Sequence, residues 1–229
     1  LQAPFSMKQA LSDLLTLLDL EQIETNLFRG VSPDEGWQRV YGGQVIGQAL
    51  VAASRTVDDP SRSAHSLHGY FLRPGDTTCP ILYQVDRIRD GRSFTTRRVK
   101  AIQKGQAIFS MSVSFQVMEA GLEHQMTAPS APPPDDCKSE EMLMDEYLRD
   151  VPEADSTFVK RPRPIEMRFA DPMNDANPQP LAPEQSVWIK TIDTMPDDVR
   201  LNQCLLAYAS DMTLIDTSYR IDCVAEAAS

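Results

Sequence analysis

The sequence predicts an α+β protein, an antiparallel sheet curled around one long buried helix, with the same pattern begun a second time. Three observations carry this. Residues 45–57 read as a helix that is apolar on nearly every side, four strand-like segments follow it, and a strand-then-helix pattern recurs after residue 186.

In the helix, Val45, Ile46, Ala49, Leu50, Ala53 and Val57 recur at helical spacing, and Val51 and Ala52 extend the apolar surface. Only Gln44, Gln48 and Ser54 interrupt it. A helix apolar all round belongs inside a core rather than on a surface. Gly42 and Gly43, just ahead of it, permit a sharp turn and a close backbone approach. Gly47 lowers helix propensity, so something is expected to pack directly on the backbone there.

Residues 65–72, 81–89, 93–103 and 107–116 read as strands of a meander wrapped around that helix. In the last of them Ala107, Phe109, Met111, Val113 and Phe115 alternate with mostly polar residues, as in a sheet wet on one face. Asp90-Gly91 and Lys104-Gly105 are hairpin signals. Upstream, residues 7–20 read as a packing helix with Leu11, Leu14, Leu15 and Leu18 on one face, followed by a short strand near 27–30.

Downstream, the proline run Pro132-Pro-Pro134 excludes helix and central strand. A helix is expected over 139–149, capped by Ser139 or Asp136. Strands follow at 164–170 and 186–193. A second buried helix opens at Pro196-Asp-Asp198 and carries Leu201, Leu205, Tyr208, Met212 and Ile215. The expected division is a first unit over 7–116, a linker over 117–163 and a second, incomplete unit over 164–229.

The net charge of −11 argues against nucleic acid and anionic membranes as partners. Four scattered cysteines (Cys79, Cys137, Cys204 and Cys223) without a Cys-x-x-Cys pair read as free thiols. No membrane-length apolar run or targeting signal is visible, so a bacterial cytoplasm, or a peroxisome in a eukaryote, is the expected compartment.

Four motifs together resemble the acyl-CoA thioesterase II family. They are Leu27-Phe-Arg-Gly30, Tyr41-Gly-Gly-Gln-Val-Ile-Gly-Gln-Ala-Leu50, His65-Ser-Leu-His-Gly-Tyr-Phe-Leu-Arg-Pro-Gly-Asp76 and Asp90-Gly-Arg-Ser-Phe94. The resemblance runs from about Leu11 to about Thr217. It implies a double hot-dog fold, two sheet-wrapped helices side by side in one chain, with the second repeat incomplete and the C-terminus truncated relative to the family. It also implies hydrolysis of acyl-CoA to free fatty acid and CoA without metal or cofactor, an apolar tunnel for the acyl chain, and self-association into a homo-oligomer.

Asp211 is the leading catalytic candidate. It stands in an apolar stretch near a helix end, where burial would raise its pKa and poise it as a general base. The pattern alone favours the other reading, a helix-terminal Asp bonded to Ser210 or Thr213, or simply solvated. The resemblance matches Ala209-Ser-Asp211 to the family segment whose Asp helps activate the hydrolytic water. The Ser or Thr and the Gln that share this task in the family would fall on segments past the end of the resemblance. The rival function is a catalytically impaired module that binds acyl-CoA or pairs with another chain. Dehydration of an acyl thioester would need a His or Glu on the buried helix, and residues 45–57 hold neither.

Gly42, Gly43 and Gln44 are oxyanion or substrate-binding candidates, because amides at a helix start face outward unpaired. Tight packing at the same spot is the competing reading. His65 is a further candidate. With His68 at i, i+3 it is expected to point to the opposite face of a strand. Arg87, Arg89, Arg92, Arg97, Arg98, Lys100 and Lys104 form the one dense basic stretch, interrupted by Asp86 and Asp90; it is a candidate for the CoA phosphates, through Arg87, Arg89, Arg97 and Arg98, or the solvated face of two strands.

Overall fold

The computed structural model describes residues 7–33, 38–152, 154 and 163–221, so residues 1–6, 34–37, 153, 155–162 and 222–229, with Cys223, lie outside the described residues. The described elements begin with α1 (Met7–Leu18), β1 (Glu21–Glu24), β2 (Leu27–Gly30) and α2 (Gly42–Arg55). Next come β3 (Arg62–Phe71), β4 (Ile81–Asp90), β5 (Phe94–Gln103) and β6 (Gln106–Val117). A 3-10 turn (Pro134–Asp136) precedes β7 (Lys138–Ser139), α3 (Glu140–Asp150), β8 (Ile165–Phe169) and β9 (Val187–Thr191). The last two are α4 (Val199–Ala209) and α5 (Asp216–Tyr219).

The first sheet has the order β1-β2-β4-β5-β6-β3, every pair antiparallel. The expected meander holds for β4, β5 and β6. It fails for β3, which crosses over to pair with β6 at the far edge. The sequence has no tight turn between β3 and β4, only the connection over 72–80, and that length permits the crossover. Between β5 and β6, Lys104 and Gly105 both take positive φ (48° and 76°), the two-residue turn that matches strand twist.

The apolar face of this sheet encloses α2. Ala49, Ala52 and Ala53 are wholly buried, and Phe28, Tyr83, Val99 and Phe115 pack in the same core. The three polar interruptions of α2 each find partners. Gln48 donates to the Leu17 carbonyl and accepts from the Tyr83 hydroxyl at 2.7 Å. Gln44 donates to the Val31 carbonyl and to Ser32 Oγ. Ser54 bonds the Cys204 thiol, whose pKa burial pushes up to about 12. Satisfied in this way, polar groups cost little in a core.

The chain resolves into two compact units. One comprises residues 13–123 and 195–212, and so holds the six-stranded sheet, α2 and α4; the other comprises 1–12, 124–194 and 213–229. The second unit carries a three-stranded antiparallel sheet, β7-β8-β9, with α3 capped by Ser139 as expected. There Arg220 is buried and fastened to Asp171 and the Ala182 carbonyl. No described helix is long and apolar enough to cross a membrane.

Two expectations need correction. The second buried helix ends at Ala209 rather than running to Ile215, so Met212 and Ile215 lie in turns beyond it. The long helix starts at Gly42, not Val45, which puts both glycines inside its first turn.

Candidate active site

Helices α2 and α4 lie side by side and antiparallel within the first unit. Arg200 at the start of α4 donates to the Ser54 and Val57 carbonyls at the end of α2. Further along, the Cys204 carbonyl would sit 3.3 Å from a methyl placed on Gly47. That is the direct backbone packing which a glycine at this position implies. At the other end, the Tyr208 carbonyl closes on Gly43 so tightly that any side chain there would collide with it. The Tyr41 hydroxyl donates to that carbonyl at 3.0 Å, and the Tyr41 and Tyr208 rings meet edge to face at 5.1 Å.

This arrangement brings the C-terminal end of α4 to the N-terminal end of α2. Asp211, two residues past α4, therefore reaches the first turn of its neighbour. The Gly43 amide donates to its carboxylate. A methyl added at Gly42 would lie 2.5 Å from Asp211 Oδ2 and 2.8 Å from Phe71 Cζ. The sequence reading placed Asp211 against the unfavourable end of its own helix dipole. The structure gives it the favourable end of another. Burial raises its pKa, and the Gly43 hydrogen bond holds that rise back. Of the competing partners, neither Ser210 nor Thr213 holds it: Ser210 Oγ donates to the Ala207 carbonyl instead.

The remaining candidates separate. Gly42 and Gly43 are at the site, although the Gly43 amide is already engaged by Asp211. Gln44 follows them in the helix, but its side chain turns away to Val31 and Ser32. His65 lies elsewhere, on the outer face of the sheet, with Nε2 2.8 Å from Ser114 Oγ. A β-bulge between Ala64 and Ser66 inserts His65 into the strand. His68, opposite Ser112, shares that face, so the expected opposition of the two rings is overturned.

The basic stretch divides between the two sheet faces. Arg97 points inward, is fully buried, and engages all five N–H donors with Thr56, Arg89, Thr96 and Asp90. It has no donor left for a phosphate, which removes it from that set. Arg87 is bonded to Asn26 and Asp58, while Arg89 and Arg98 are exposed. No group of three or more His, Cys, Asp and Glu among the described residues could hold a metal ion. Asp211 lines neither of two clefts of about 400 and 450 Å³ found among the described residues. Sequence reasoning missed Phe71 altogether; it lay inside a quoted motif, and only the fold brings it over Gly42.

Comparison with known proteins identifies the family. Residues 33–116 match the family described as "Acyl-CoA thioesterase N-terminal domain", and residues 154–222 match the one described as "Acyl-CoA thioesterase". Acyl-CoA thioesterase 2 of Haemophilus influenzae is 42% identical over 93% of this chain and 74% of its own length. The chain belongs to the acyl-CoA thioesterase family. The structure of acyl-CoA thioesterase II TesB2 from Mycobacterium marinum superposes with a TM-score of 0.69 at 42% identity, covering 90% of this chain and 71% of that one. A protein of unknown function with a hot-dog fold from Alicyclobacillus acidocaldarius is alike in fold alone, with a TM-score of 0.62 at 18% identity over 86% of this chain and 67% of that one. The α+β hot-dog architecture expected from the sequence is therefore the one found. Mammalian relatives are matched over 66% of their length.

Proposed function

We propose that this family member hydrolyses acyl-CoA thioesters, with Asp211 as the general base that activates water. The observation that carries the reading is the position of one half-buried carboxylate at the N-terminal turn of α2, in contact range of the Gly42 backbone and held by the Gly43 amide. The water oxygen attacks the thioester carbonyl carbon and its proton passes to Asp211. The tetrahedral oxyanion collapses, the carbon–sulfur bond breaks, and the CoA thiolate takes the proton back. First-turn amides of α2 not engaged by Asp211 are suited to the developing oxyanion. Arg89 and Arg98 remain the phosphate candidates, with Arg87 partly committed. We take 7–116 and 164–229 as the two repeats, joined by 117–163.

The relatives favour hydrolysis over the impaired-module reading, since the 42% identical relative is an acyl-CoA thioesterase matched over 93% of this chain, and residues 154–222, with Asp211 among them, match the thioesterase family. Release of CoA thiol from a medium- or long-chain acyl-CoA tests it. Asp211→Asn is expected to lose at least about a hundredfold in kcat/KM, within the range for removing a general base. An unchanged rate would give Asp211 a different role. Because a base must be ionised, wild-type kcat/KM should fall as pH drops through a pKa above the ordinary carboxylate value.

Self-association into a homo-oligomer is part of the same reading. Light scattering should give a mass above 25.6 kDa. A monomer that persists at high concentration would contradict it.

A further inference from the structure

Strand β3 sends Leu67, Gly69 and Phe71 toward the helix side of the sheet, the faces being set by their pairing with Val113, Met111 and Phe109. Gly69 leaves room there: a methyl on it would lie 2.5 Å from Phe109 Cζ. The buried Phe109 ring fills that space and meets Phe71 at 5.0 Å, the planes tilted by 43°. Phe71 is thereby fixed on one side by a rigid core residue. Its far edge reaches over Gly42, where Cζ and Cε1 would lie 2.8 and 3.2 Å from an added methyl, the same point that Asp211 Oδ2 approaches to 2.5 Å. Yet Phe71 is 54% exposed.

An anchored aromatic ring left half bare beside a reactive carboxylate is a ready apolar contact for substrate. The thioester carbonyl must sit near Asp211 for water to reach it. The methylenes next to that carbonyl then fall within reach of the Phe71 ring. We propose that Phe71 is a specificity-determining residue, whose ring packs against the acyl chain beside the reacting carbonyl. This rests on the reading of Asp211 given above. Each methylene that the ring helps to bury should tighten binding by roughly three- to fourfold.

The test uses binding rather than turnover. Dissociation constants are measured by calorimetry on the full 229-residue chain for two non-hydrolysable alkyl-CoA thioethers, one with a butyl and one with an octyl chain. Wild type should favour the octyl compound by at least about tenfold, by the same methylene scale. Phe71→Ala and Phe71→Gln should lose most of that preference, Phe71→Leu should restore much of it, and Asp211→Asn should keep it. Two polar or small variants and one conservative variant guard against a single misfolded protein. Equal preference in wild type, Phe71→Ala and Phe71→Gln would overturn the proposal, and so would absence of binding by wild type. If instead Asp211→Asn retains hydrolysis while Phe71→Ala loses the preference, the base assignment fails and the Phe71 contact stands.

Discussion

Gly42 and Gly43 are neighbours with different reasons for being glycine, and the difference can be measured. A methyl at Gly43 runs into the backbone carbonyl of Tyr208, which cannot move without shifting α4. Gly43→Ala should destabilise the fold by about 1–3 kcal/mol in urea unfolding, as overpacking does. The nearest atoms to a methyl at Gly42 are the ends of the Asp211 and Phe71 side chains. The carboxylate can swing away and the free edge of the anchored ring needs to give only a few tenths of an ångström, while Ala is the better helix former. Gly42→Ala should therefore fold about as stably as wild type but lose roughly a hundredfold in rate through the displaced carboxylate. Equal stability losses in the two variants would contradict this division.

Asp211 itself has a stability consequence with a definite sign. Its pKa is raised in the fold, so its stabilising contribution is present at low pH and lost as pH rises through the folded value. Asp211→Asn should accordingly melt no lower than wild type at pH 7. A clearly lower Tm there would mean that the carboxylate is a structural anchor. The identity of Asp211 was legible in the sequence as a carboxylate in an apolar stretch. Its surroundings were not, because Gly42, Gly43 and Phe71 are far away in sequence and meet it only through packing.

At the scale of elements, the antiparallel pairing of α2 and α4 explains why the site exists. Their ends present opposite partial charges to one another, and the turn after α4 delivers Asp211 to the positive end of α2. Periodicity identified both helices but misplaced two boundaries, because apolar residues in a turn mimic a further helical turn. The strands show the same limit. Alternation in β6 was plain, whereas the place of β3 depends on a crossover and a bulge that composition does not encode. Within the basic stretch only Arg97 is lost as a candidate, for a simpler reason: the stretch was counted along the chain instead of by face. Arg97 and Arg98 are adjacent and so point to opposite faces. Arg97→Met should cost about 2 kcal/mol in urea unfolding by orphaning buried carbonyls, and Arg98→Met less than about 0.5 kcal/mol. Similar losses for the two would show that burial does not separate them.

At the scale of the molecule, the first unit is a buried helix wrapped by a sheet, and that much followed from a helix apolar all round followed by alternating strands. The second helix joins that unit in space although it lies far along the chain. A reading that moves residue by residue divides the chain where the pattern repeats, whereas packing divides it by contact. The net charge of −11 offers no general attraction to an anionic CoA. On the reading proposed here, recognition falls to local features, the exposed arginines and the apolar ring of Phe71, rather than to the field of the whole protein.

The central claim is that Asp211 acts on water and never on the acyl carbon. A single turnover in H₂¹⁸O, with enzyme in excess over a long-chain acyl-CoA, tests this most directly. The expected result is label in the released fatty acid and none in the peptide that carries Asp211. Label in the Asp211 carboxylate would mean a covalent acyl-enzyme intermediate, and absence of any turnover would mean that the carboxylate held at the start of α2 is not a catalyst; either would contradict the claim.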